Sequence, residues 1–287
     1  MTTMQVSEPR ALDVQAGALK MRYYLWNGTG PTVVMLHNSG AYARIWEHVV
    51  PYLVPDFRVI ALDQRGHGDT DRPAEGYAGE DFASDLEQFL DVLRLDQVAL
   101  VGHSLGGRAS QIFAGNNPER VTKIAIVGGP HPESFGATPE QFKAIARAVK
   151  WRRQAPVRFP NEGAAQEYLG KYLPQLTQGL RDELMRFSMN REPDGAMSFK
   201  YDGQRVADTL SHKTDDLRKY VRNISSPVLF MVVRPGYNGL TIEIAKKIEG
   251  YFTAARVETV VVDGEHYVEL ENPKAVGEAL RRFLVIA

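Results

Sequence analysis

A serine with one glycine two residues before it and another two after, set where an apolar run breaks, is the feature of this chain best suited to covalent chemistry. The run is Val98-Ala99-Leu100-Val101, too short for an ordinary helix; Gly102-His103-Ser104-Leu105-Gly106-Gly107 follows, and a helical pattern begins at Arg108. This reads as strand, sharp turn and helix. A residue held at such a turn takes a strained backbone, and only small neighbours let the chain fold back that tightly, which Gly102 and Gly106 provide. The Ser104 hydroxyl is thereby lifted clear as a nucleophile. The backbone N–H of Leu105, at a helix N-terminus, is aimed to bond a developing oxyanion. A glycine-rich turn with a chance serine shares the short motif, but the strand before it and the helix after it favour the nucleophile.

Three more stretches stand in a matching order: His37-Asn38-Ser39-Gly40 after the apolar run 32–36, Asp63-Gln64-Arg65-Gly66-His67-Gly68 after residues 57–62, and Gly264-Glu265-His266 near the C-terminus. With the elbow at Ser104 they make nearly the whole chain resemble the α/β-hydrolase superfamily. The resemblance implies an α/β fold: a mostly parallel sheet flanked by helices, with a helical cap inserted after the sixth core strand. It implies that His266 is the catalytic base and that Ser39 is the second oxyanion donor, through its backbone N–H. Asn38 stands where relatives usually carry glycine. The loop at residues 63–68 is structural in such proteins, which leaves Asp63 and His67 outside the chemistry.

The elements needed to position these residues can be read from the pattern. Short strands around Gln15-Ala16-Gly17 form an opening hairpin. Near-continuous apolar runs at residues 32–36, 57–62, 98–101, 124–127, 227–233 and 257–262 suit strands of a parallel sheet buried on both faces. Helical stripes lie between them at residues 42–53, 82–95, 241–252 and 273–284. Such alternation places ligands at the carboxyl ends of the strands. Past Gly128 the rhythm changes. Roughly ninety residues pass without a core-type strand, more than a loop holds without structure of its own. Helical patterns appear there at residues 139–153, 162–173, 180–189 and 215–223. Residues 1–130 and 225–287 are therefore read as the core and 131–224 as the cap. The aromatic residues Trp151, Phe159, Tyr168, Tyr172, Phe187, Phe199 and Tyr201 mostly hold the cap together, with a minority facing the pocket. His37, Asn38, His103 and Trp151 are the candidates for contact with substrate, although His103 also suits a packing role. His131, at the cap entrance, is a further histidine to check. Arg152-Arg153 reads as a solvated basic pair.

Composition excludes several classes. At 287 residues and 44% hydrophobic the chain buries a large core. A formal charge of −1 gives no ground for nucleic acid or a charged membrane surface as partner, and favours a small neutral or weakly charged substrate. There is no cysteine, hence no disulfide, thiolate metal site or cysteine nucleophile. No metal ligand spacing or cofactor motif is present, so no cofactor is implied. The first residues lack the basic start and apolar run of a secretory leader, and no segment is long and apolar enough to cross a bilayer. The expectation is a soluble, cytoplasmic protein.

One departure is informative. A Ser-His pair needs a carboxylate to orient the imidazole and stabilise its cation. Relatives carry that acid after the seventh strand, where this chain has Asn238, or after the sixth, where it has Gly128. Four readings stand. Asn238 orients His266 without the charge. Another acid serves, with Glu133 better placed than Glu265 or Asp263. Asn238 replaces a natural Asp, or regains a carboxyl by deamidation of Asn238-Gly239. Lastly, the scaffold uses His266 for cofactor-independent oxygenase or lyase chemistry, or keeps a pocket for ligand binding with little turnover. Asn-Gly is also a common turn pair.

Overall fold

The apolar runs alternate between two faces, and that alternation builds the layers. The computed structural model describes residues 7–129, 158–205, 207, 216–234, 241–253, 255–265 and 267–285. The hairpin β1 (Arg10–Ala16) and β2 (Leu19–Trp26) is followed by β3 (Thr32–Leu36), β4 (Arg58–Leu62), α1 (Gly79–Val92), β5 (Val98–His103), α2 (Leu105–Asn116) and β6 (Val121–Val127). An insert then holds β7 (Arg158–Phe159), α3 (Glu162–Tyr172), α4 (Gln178–Ser188), β8 (Met189–Arg191), β9 (Met197–Phe199) and α5 (Arg218–Val221). The chain returns to the core through β10 (Val228–Arg234), α6 (Ile242–Glu249), β11 (Val257–Asp263), α7 (Val268–Glu271) and α8 (Pro273–Val285).

Eight strands form one sheet in the order β1-β2-β4-β3-β5-β6-β10-β11. The hairpin pairs antiparallel, as does β2 with β4, and every other pair is parallel. Because strand side chains alternate, Val34, Leu36, Leu100, Ile126 and Phe230 pack against α1 and α2, while Val33, Met35, Val101, Val127 and Met231 pack against α8 and the insert. The chain leaves β3 for β4 on one side and then crosses to β5 on the other. That reversal opens a crevice at the carboxyl ends of β3 and β5, the place where such sheets bind ligands.

Residues 42–53 differ from the helix expected of them. They form two 3-10 turns, Ala43–Trp46 and Val50–Tyr52. Pro51 lacks the N–H that an α-helix would use, and the Ala43 N–H is taken by the Asp63 carboxylate at 2.6 Å. Ile45, Trp46, Val49 and Val50 are buried all the same.

In the insert, α3 starts at Asn161, whose Oδ1 accepts the Ala164 N–H, and α4 at Thr177, whose Oγ1 accepts that of Leu180. The pattern at residues 215–223 yields α5 only. The strands β7, β9 and β8 make a small antiparallel sheet of two- and three-residue segments, too short to leave an alternating signal in the sequence. The expected helix at 139–153 lies outside the described residues. Phe159, Leu169, Leu184 and Met185 join the same apolar cluster as the core strands beneath them. No helix among the described residues is long and apolar enough to cross a membrane.

Candidate active site

Ser104 is at the junction of β5 and α2 with φ 50° and ψ −104°. A side chain at positive φ is costly, and the surrounding packing has to hold it there. Two glycines make the turn possible. A Cβ on Gly102 would lie 2.4 Å from the backbone of Gly106, and one on Gly106 would lie 2.3 Å from the carbonyl oxygen of Leu36. Three backbone bonds fasten the turn: the Ser104 N–H to Val127 O at 3.2 Å, the Gly106 N–H to His37 O at 3.2 Å, and the Arg108 N–H to Ser104 O at 3.0 Å. Leu105 is the first residue of α2, where N–H groups have no intrahelical acceptor.

The turn after β3 is built on the loop after β4. Nε2 of His37 accepts the Gln64 N–H at 3.1 Å, while its Nδ1–H donates to Asn38 O at 2.7 Å. Gln64 returns a bond from Nε2 to His37 O at 2.7 Å. His67 accepts the Gly40 N–H on Nε2 at 3.0 Å and donates from Nδ1 to Arg65 O. Asp63 accepts the N–H groups of Ala43 and Asp69. Every one of these side chains is buried, as are Asn38 and Ser39. Burial pushes His37 down to about 4, against the pull of its bond to Asn38 O. Burial likewise pushes Asp63 up to about 6, and its two backbone bonds only partly offset that. Asp63 and His67 thus shape the turn, as the family resemblance implied, and Gly40 at φ 80° completes it.

The two buried histidines expected to meet substrate are occupied elsewhere. Both nitrogens of His37 bond the protein's own backbone and leave none for a ligand. His103 is 1% exposed, and its Nδ1 bonds Glu269 Oε1 at 2.9 Å. The other edge of its ring packs on Gly128: a Cβ at that residue, whose φ is 64°, would meet His103 Nε2 at 2.7 Å. No acid can stand at residue 128 while the ring is there. His266, Asn238, Trp151, Glu133, His131 and His212 lie outside the described residues.

A cavity of 480 Å³ opens above this rim. Its floor includes Gly40, Ala41 and Tyr42; its walls come from Tyr168 and Tyr172 of α3 and from Phe199 and Tyr201 at β9. Phe199 and Tyr201 stack with centroids 4.8 Å apart, and Tyr168 and Tyr172 meet at 4.4 Å. Among the described residues the lining holds one cation, Lys171, and one anion, Glu265. Glu265 and Tyr267, the neighbours of residue 266, both reach this cavity. Their N–H groups bond the carboxylate of Glu271, and Asn272 Nδ2 donates to Asp263 O at 3.0 Å, so the loop after β11 is tied from below. Neither Glu269 nor Glu271 was singled out from the sequence. Their partners are backbone groups and a histidine 166 positions away, which no local spacing announces. Among the described residues no group of three or more His, Asp or Glu is arranged to hold a metal ion.

Comparison with known proteins agrees with this fold. The family described as alpha/beta hydrolase fold matches residues 31–273. The 2-(acetamidomethylene)succinate hydrolase of Mesorhizobium japonicum is 28% identical over 279 residues, covering 96% of this chain and 94% of that protein. A serine hydrolase-like protein of Danio rerio is 23% identical over 283 residues, covering 92% and 85%. The solved structure of E-2-(acetamidomethylene)succinate hydrolase is similar in fold, with a TM-score of 0.83 at 24% identity, covering 97% of this chain and 100% of that one.

Proposed function

The chain belongs to the alpha/beta hydrolase fold family, and on that premise we propose that it is a serine hydrolase of a small, largely apolar ester, lactone or activated carbon–carbon bond. The conformation of Ser104 carries the reading. A buried serine held at positive φ between two obligatory glycines is strain the fold retains at a functional position. In this mechanism Ser104 Oγ attacks the carbonyl carbon while His266 takes its proton. The carbonyl oxygen, now an anion, is bonded by the N–H groups of Leu105 and Ser39. His266 then gives the proton to the leaving group, and water releases the acyl group by the same steps in reverse. Asn238 serves as orienter, and no metal or organic cofactor takes part. Residues 131–224 act as the cap. The aromatic walls of the cavity support an apolar acyl or aryl group; the Mesorhizobium relative, by contrast, is named for a succinate.

A second reading draws on Gly128, where a carboxylate is sterically barred. His266 would then act as the base in chemistry that does not need the serine. Intact-mass spectrometry after exposure to a fluorophosphonate separates the two. The hydrolase reading expects one adduct on the wild type, absent from Ser104→Ala and slowed by at least about 100-fold in His266→Ala. With Asn238→Asp, labelling speeds up if a carboxylate was lacking there. A wild type that takes no label sinks the proposal.

A further inference from the structure

Glu269 and His103 form a buried pair that the steps above do not use. Glu269 is 0% exposed and His103 1%, and they meet at 2.9 Å. The second carboxylate oxygen, Oε2, is buried and has no hydrogen-bond partner among the described residues. An acceptor left bare in the interior destabilises a fold, and a native chain that keeps one invites a functional account.

The position of the pair supplies that account. His103 is the last residue of β5, directly before Ser104, and its ring fills the space beside Gly128 that an acid after β6 would need. Glu269 is on α7, three residues after His266, so their Cα atoms are at most about 11 Å apart. The pair therefore joins the strand end that carries the nucleophile to the segment that carries the base. It also places a fully buried carboxylate against the residue that precedes the nucleophile.

We infer that Glu269, seated on His103, takes over the duty of the missing triad acid: it fixes the loop bearing His266 and stabilises the positive charge that His266 acquires. Glu269 is thus a positioning residue, and the inference rests on the Ser104–His266 reading. At about 10 Å and an effective dielectric constant near 20, one charge changes a rate by roughly tenfold.

The test uses two substitutions that separate charge from shape. Glu269→Gln keeps an acceptor for His103 and removes the charge; Glu269→Asp keeps the charge and shortens the reach. Turnover of p-nitrophenyl acetate and fluorophosphonate labelling are measured on variants whose thermal unfolding shows them folded. We expect kcat and the labelling rate to fall by about tenfold or more in Glu269→Gln, with KM within about twofold, and Glu269→Asp to stay nearer the wild type. A Gln variant within twofold of wild type, or more active than the Asp variant, overturns the inference. Should the Gln variant not fold, His103→Asn carries the test by removing the seat of the carboxylate: kcat and labelling lowered several-fold with KM within about twofold support the inference, and both within twofold of wild type overturn it. An inert wild type would instead bring down the hydrolase reading, and this inference with it.

Discussion

The rim of the sheet and the insert above it enclose the same cavity by different means. On the rim, backbone groups and fully buried side chains bond one another: Gly106 to His37, His37 to Gln64, Gly40 to His67, Ala43 to Asp63. On the insert, contacts are rings against rings, and several ion pairs face water, such as Arg158 with Asp194 and Arg191 with Glu162. The insert meets the rim through a bridge between His67 and Tyr201, a bond from Lys200 to Asp69, the pair of Glu183 with His48 and Arg44 set 4.1 Å from the Phe187 ring, beside an apolar layer it shares with the core strands. In the proposed mechanism donors must meet a developing charge, and such donors work best when they cost nothing to reorganise, which a buried, bonded rim suits. A wall of aromatic rings holds apolar groups without fixing their orientation, which suits selection of substrate.

Breaking the rim should cost far more than trimming the insert. Gly106→Ala drives a methyl group to 2.3 Å from Leu36 O. It should abolish fluorophosphonate labelling at Ser104 and cost about 3 kcal/mol in a denaturant titration. Labelling at wild-type rate would show the elbow to be less constrained than the contacts indicate.

His37→Asn tests the rim through pH. The folded value of His37, about 4, is below its ordinary 6.5, so between the two the unfolded chain binds more protons. Stability from the neutral ring is whole above pH 6.5 and is lost as pH falls through 4. The destabilisation caused by His37→Asn should therefore be largest near neutrality and shrink by up to about 3 kcal/mol at pH 4. Asp63 contributes with the opposite sign, being raised to about 6, but it is present in both proteins and drops out of the difference. A gap between the two proteins that does not change with pH would contradict the burial assigned to His37.

On the insert, Phe199→Leu removes a ring that stacks on Tyr201 and lines the cavity. KM for a p-nitrophenyl ester should rise by about fivefold, with labelling by a small fluorophosphonate within about twofold. A collapse of labelling would mean that the insert, too, positions the reacting groups. The smallest effect belongs to Arg158→Ala, whose side chain is half exposed in its pair with Asp194; unfolding should move by no more than about 0.5 kcal/mol.

How much of this was legible in the chain varies with the range of the interaction. The parallel strands could be read because burial on both faces demands unbroken apolar runs, and the elbow because glycine two residues either side of Ser104 is a local steric demand. The loop at 63–68 was legible as structural, and its bonds to the turn after β3 bear that out. Residues 42–53 misled because their apolar spacing suits a helix, while Pro51 and a carboxylate from another loop decide against one. His37 and His103 resembled pocket residues because they stand next to the turn and the nucleophile. Nothing local reveals that both ring nitrogens of His37 and Nδ1 of His103 are already bonded.

The sequence by itself determined the layered α/β architecture, the turn that carries Ser104 and the absence of an acid at residue 128, since each follows from side-chain size, period or a single residue type. Only the tertiary structure decided that His103 fills the place of that acid and that Glu269 stands behind it. Such a pair depends on β5 and α7 arriving within side-chain reach of each other. Proximity between residues 166 positions apart is a property of the folded sheet, not of any stretch of chain.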